Sequence, residues 1–130
     1  MAPETNGSDA ARKLAIAAAR TARDYNTEEI LVLDLRELSP VTEYFVIGTG
    51  TSRRQLRAVA DEIAKTGERI GQPVWRTAGV ETGNWILLDF VDVVVHLFDE
   101  AHRSYYDLEL IWGEAPRVDW VADDSKPAER

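Results

Sequence analysis

Four groups of residues in this chain have the types that chemistry needs, and each has a plain structural rival. Ser52 follows Gly50-Thr51 where a strand pattern gives way to a helical one, so the amides of the turn have the geometry to hold a phosphate. The turn lacks the lysine of a P-loop and the three glycines of a dinucleotide fingerprint, and the spacing of Ser52 to Gln55 suits a capping box instead. Asp89 and Asp92 have the chemistry of a metal-binding carboxylate pair, which with Ser52 would suit a nucleotidyltransferase-like enzyme. Such enzymes carry two acids at alternate positions of one strand. A spacing of three sends the side chains to opposite faces unless a turn brings them round, and no third acid is placed to complete a two-metal site. His96 and His102 lie six residues apart, matching neither a helical i, i+4 pair nor a zinc spacing, and nothing of the form G-x-S-x-G is present. Both histidines read as structural, with His96 packed in a sheet.

The fourth group is aromatic. Trp85, Tyr105, Tyr106 and Trp112 are mixed with Asp89, Asp92, Asp107 and Glu109. Core packing accounts for any one such ring, because each buries a large area. As a set, beside a polar hairpin and within a Tyr-Tyr-Asp-Leu-Glu run, they offer aromatic anchors ringed by acids, the composition of a binding hot spot. The four groups therefore separate into a weak catalytic reading and a stronger interface reading.

These residues must be positioned by regular elements. An apolar stripe at Ala11, Leu14, Ala15, Ala18, Ala22 and Tyr25 predicts a helix from about Asp9 to Tyr25, with Arg12, Arg20 and Arg23 facing outward. The apolar runs Ile30–Leu35 and Tyr44–Gly48 predict two buried strands separated by the Ser39-Pro40 break. Ser52 then caps a helix through Leu56, Val59, Ala60, Ile63, Ala64 and Ile70 that stops at Gly71, with Pro73 beyond. Val74–Thr77 reads as a short strand and Gly79–Asn84 as a loop. Trp85–Phe90 and Val93–Phe98 read as strands joined by a tight hairpin at Val91-Asp92. Asp99 is placed to cap a short helix through Arg103, Tyr105–Trp112 reads as a further compact segment, and the tail Asp119–Arg130 as frayed, with Trp120 available to pack back. The order is α-β-β-α-β-β-β-α, a mixed sheet with helices on its faces. The expected organisation is a loose leader over residues 1–8, one α/β domain over 9–120 and an acidic tail over 121–130.

Composition bounds the function. At 130 residues the chain has room for one domain. It has no cysteine, so disulfides and thiolate metal sites are excluded. Its longest apolar runs are far too short to cross a membrane, and the first nine residues carry two acids and no base, unlike a signal or transit peptide, so the cytosol is the expected compartment. The net charge of −8 is unevenly spread. Residues 1–80 balance eleven acids with eleven bases, whereas residues 81–130 set twelve acids against four bases. An acidic half argues against direct binding to nucleic-acid phosphates and fits a basic protein partner.

Three stretches carry a resemblance: LDLRELSPVTEYFVIGTGTSRRQ (Leu33 to Gln55), TGNWILLDFVDVVVHLF (Thr82 to Phe98) and RSYYDLELIWGEAPRVDW (Arg103 to Trp120). In this order they make the chain similar to the ribosomal silencing factors, also called the Iojap-like family, from about Leu14 to Trp120. The resemblance implies a mixed five-stranded sheet of the nucleotidyltransferase superfold without its catalysis, and no cofactor. It implies a translation repressor active under nutrient limitation, which binds a basic large-subunit ribosomal protein (the fourteenth in that series) on the intersubunit face and sterically blocks joining of the small subunit. It also implies self-association, as a homodimer, when free. The docking residues it implies are Trp85, Leu88, Asp89, Asp92, Tyr106, Asp107 and Leu108. Two positions depart from the family pattern. Val91 stands where the family hairpin usually has glycine; glycine there supplies a positive φ that a β-branched residue adopts only with strain, so a turn of different shape is expected. Ala78-Gly79 stands where the family often has Glu-Gly.

Overall fold

The computed structural model describes residues 7–106 and 113–121. Three alanine-rich turns give the first helix a narrow, flat face: Ala11, Leu14, Ala15, Ala18, Ala19 and Ala22 are all buried along α1 (Gly7–Asp24). The chain continues through β1 (Glu28–Asp34), β2 (Tyr44–Gly50), α2 (Arg53–Arg69), β3 (Arg76–Ala78), β4 (Trp85–Asp89), β5 (Val93–Asp99) and α3 (Glu100–Tyr106), the order read from the sequence. α1 begins two residues before Asp9, and β3 is set two residues later than its apolar pattern suggested. Tyr105–Trp112 lies outside the described residues from position 107 on.

The five strands lie in the order β1-β2-β5-β4-β3. β2 and β5 run parallel at the centre, and every other neighbouring pair is antiparallel, so the sheet is mixed. α1 and α2 pack together on one face, where Leu14, Leu56, Val59 and Ile63 meet Val32, Val46, Ile86, Leu88, Val95 and Leu97. Removing aliphatic side chains of this size from water contributes roughly 1.5–3 kcal/mol each, so this layer carries most of the stability. The opposite face has a smaller cluster of Leu33, Leu35, Ile47, Phe98 and Ala115, with Phe45 and Trp85 packed against it.

Caps place the helices as expected. Ser52 accepts a hydrogen bond from the Gln55 amide at 3.0 Å. The Gln55 side chain receives the Thr51 amide at 2.6 Å and donates to the carbonyls of Tyr25 and Asn26, clamping the end of α1 to the start of α2. Gly71, with φ of 81°, ends α2, and the Gln72 amide returns to the Gly67 carbonyl. The exposed side of β1 is covered: the Asp34 amide bonds the Pro116 carbonyl, the Val118 amide bonds the Val32 carbonyl, and Trp120 packs back onto the core under Arg23. No helix among the described residues is long and apolar enough to cross a membrane.

Candidate docking face

The pleat of β4 decides which candidate residues can act together. Successive strand residues point to opposite faces. Trp85, Leu87 and Asp89 are partly exposed, while Ile86 and Leu88 are buried under the helices. The hairpin register sets Trp85 opposite Phe98 and Leu87 opposite His96. The parallel pairing of β2 with β5 sets Phe45 beside Val94 and Ile47 beside His96. The face turned away from α1 and α2 thus gathers Trp85, Leu87, Phe45, Val94, His96 and Phe98, of which the first four remain partly exposed.

Its centre is an aromatic cluster. The Trp85 ring stacks on Phe98 with centroids 5.0 Å apart, and Phe45 meets His96 edge-on at 4.5 Å. The Trp85 indole N–H, which can only donate, reaches His96 Nδ1 at 3.2 Å. His96 is therefore neutral, with its proton on Nε2, and burial pushes its pKa down to about 4. The Nε2 atom is buried without a hydrogen-bond partner among the described residues. His96 is thus a packed sheet histidine that fixes the tilt of Trp85, as a structural reading of it requires.

One end of the face is the β4–β5 hairpin. The Asp89 carboxylate accepts the Val91 amide at 2.8 Å and lies 3.4 Å from Arg76 Nε across the β3–β4 pair. Val91 has φ of 78°, and the Asp92 amide bonds back to the Phe90 carbonyl at 3.0 Å, closing a γ-turn of the strained, positive-φ form. The Asp92 carbonyl accepts the amides of Glu43 and Tyr44, and its exposed carboxylate faces solvent. At the other end, the Asp99 carboxylate accepts the His102 amide at 2.8 Å, capping α3, and lies 2.8 Å from His102 Nδ1. Burial raises the Asp99 carboxyl, but the two His102 hydrogen bonds outweigh it and hold it below its ordinary value. Arg103, buried on α3, donates from Nη1 to the Glu29 carbonyl and to Thr49 Oγ1 at 2.7 Å, anchoring the helix to β1 and β2. Gly79 is needed beside Trp85, because a Cβ there would lie 2.0 Å from the Trp85 carbonyl oxygen.

The candidate residues divide accordingly. Trp85 and Asp89 share the face, and Asp92 borders it. Leu88 does not: it is 1% exposed on the helix side, because an odd spacing from Trp85 inverts its direction. Its place as a docking contact is corrected to the core, and Leu87 takes the outward position. Tyr106 is the last residue of α3; its side chain, together with Asp107 and Leu108, lies outside the described residues. The sequence reading missed Leu87, Phe45 and Val94. Period two from Trp85 finds Leu87, whereas Phe45 and Val94 need the β2–β5 register, which no local pattern announces. Ser52 acts as a cap, and Asp89 spends its carboxylate on the turn and on Arg76. Among the described residues no group of three or more His, Asp or Glu side chains is placed to hold a metal.

The family description "Ribosomal silencing factor during starvation" matches residues 8–130. Ribosomal silencing factor RsfS of Bacillus subtilis is 43% identical over 102 residues, covering 78% of this chain and 86% of that protein. An X-ray crystal structure of a Chromobacterium violaceum protein superposes with a TM-score of 0.76 at 32% identity, covering 78% of this chain and 85% of that one. A mouse protein named "Mitochondrial assembly of ribosomal large subunit protein 1" is 32% identical over 93 residues, covering 69% of this chain and 41% of its own length.

Proposed function

This chain belongs to the ribosomal silencing factor family, and from that premise we propose that it docks on the large ribosomal subunit and sterically blocks joining of the small subunit, repressing translation when nutrients are scarce. The observation that carries the reading is the face built around Trp85: partly exposed rings and aliphatic side chains, held rigid by the sheet and bordered by Asp89 and Asp92. Rigid aromatic anchors with a charged border are what a small protein needs to bind with a limited area. The excess of acids in residues 81–130 selects a basic partner, and the partner we assign is the fourteenth protein of the large-subunit series, on the intersubunit side. Tyr106, Asp107 and Leu108, which the family resemblance implies as docking residues, are assigned to the same contact. The mechanism needs no turnover. The bound protein occupies surface that the small subunit requires, so repression scales with occupancy, in the cytosol, and a free homodimer is the resting form.

The test is sedimentation of purified subunits through a sucrose gradient with and without the protein. The expected result is co-migration with the large subunit alone and a lowered yield of joined ribosomes. Protein that stays at the top of the gradient, with joining unaffected, overturns the proposal.

A further inference from the structure

Within the face just described, the backbone departs from relaxed geometry at the hairpin. Val91 sits at φ of 78°, in the left-handed region where a β-branched side chain is a true outlier, and the γ-turn centred on it is the strained form. Glycine reaches this conformation freely, so one substitution would relieve the strain. The side chain bought at that expense is 52% exposed and does not serve the core. Close by, the loop between β1 and β2 is tied to the same turn, since the Asp92 carbonyl accepts the Glu43 and Tyr44 amides. That loop presents Val41 at 78% exposure, and Val41, Thr42, Glu43 and Asp92 line one hollow with Arg36, whose guanidinium is paired with Asp34. Two exposed apolar side chains, Val91 and Val41, thus stand on turns joined by hydrogen bonds, with the acids Asp92 and Glu43 beside them. Arg36 is already paired with Asp34, and Asp89 links the hairpin to the Trp85 face.

We propose that Val91 is a specificity-determining contact: together with Val41 it inserts into an apolar depression, bordered by basic residues, on the large-subunit protein that the Trp85 face binds. Strain retained at an exposed position is explained when the side chain is used by a partner, and the acidic border selects the charge of that partner. The inference rests on the proposed large-subunit docking and adds a second, local determinant to it.

Three variants separate the possibilities. Val91→Gly and Val91→Asn both relieve the positive φ, whereas Val91→Ala keeps a Cβ and shortens the side chain. Each is measured for thermal midpoint and for affinity to purified large subunits at fixed salt. Val91→Gly and Val91→Asn should melt a few degrees higher than the parent protein, and all three should bind about five- to tenfold more weakly. Variants that melt higher yet bind as tightly as the parent overturn the inference, because the strain is then merely tolerated. A Val91→Gly protein that melts no higher also overturns it, by removing the strain on which it stands. Failure of the parent protein itself to bind large subunits sinks the docking proposal and this inference with it. Parent binding with unchanged variants sinks this inference alone.

Discussion

The two faces of the sheet are built from alternate residues of the same strands, yet they obey different rules. Under α1 and α2 the side chains are mostly aliphatic and buried: Ile86, Val95 and Leu97 are 0% exposed, with the ring of Tyr44 packed among them. On the other face the same strands present Trp85, His96, Phe98 and Phe45, a cluster in which the indole and imidazole nitrogens must be placed as well as the rings packed. A face that serves stability alone has no use for an indole hydrogen-bonded to a neutral histidine. The pleat thus separates an aliphatic layer under the helices from an aromatic layer on the opposite face, the one proposed to dock.

The sharpest way to break this division is Leu88→Ala. Leu88 is the docking position that family likeness selects and the pleat rejects. Truncation should lower unfolding stability by roughly 3 kcal/mol, as for a well-packed core leucine, read as a fall in the urea midpoint. The fraction that remains folded should bind large subunits with unchanged affinity. Lost affinity at preserved stability would return Leu88 to the interface.

Nearly as large is the pH response of His96. Its pKa falls from 6.5 in the open chain to about 4 in the fold, through burial. The neutral form is favoured by folding, so the full stability is present above the unfolded pKa. It should decline as pH falls from about 6.5 toward 4, by about 3 kcal/mol in all. Protonation of Nδ1 also evicts the Trp85 indole, so the docking face loosens with the fold. Denaturant titrations between pH 7 and pH 4 read the slope directly, and His96→Phe should flatten it.

Much of this was legible in the chain. Element order, both helix caps and the Val91-Asp92 hairpin follow from local chemistry: apolar period, Ser52 with Gln55, Gly71, and two short valine-rich strands. The valine in a glycine's place pointed to a turn of different shape, but Val91 keeps the positive φ. What stayed hidden was register. Trp85 and His96 are eleven residues apart, and only the hairpin pairing of Trp85 with Phe98 makes them diagonal neighbours. Phe45 and Val94 join the face through a parallel pairing across the whole of α2, β3 and β4. Family likeness, which compares positions rather than directions, placed Leu88 on the wrong side of the strand.

On the exposed face the order of effects should reverse. Trp85→Ala should weaken large-subunit binding by about 2 kcal/mol, some thirtyfold, while shifting the unfolding midpoint less than Leu88→Ala does. The indole is only partly buried, although its loss leaves His96 Nδ1 without its donor. Trp85→Phe keeps the stack on Phe98 and removes that donor, so its affinity should fall between the two. A Trp85→Ala protein that unfolds outright would merge the two faces into one core.

The smallest effect comes from the position that most resembles a catalytic residue. The Ser52 hydroxyl accepts the Gln55 amide in the first turn of α2. Ser52→Ala should therefore cost about 1 kcal/mol of stability, toward the low end because Gln55 continues to bind the Thr51 amide and the carbonyls of Tyr25 and Asn26. Large-subunit affinity should be unchanged, since the cap lies at the head of a helix on the aliphatic side of the sheet. If binding falls with stability intact, the Gly50-Thr51-Ser52 turn belongs to the contact surface. The boundary between the two faces would then run through the end of β2 rather than along the plane of the strands.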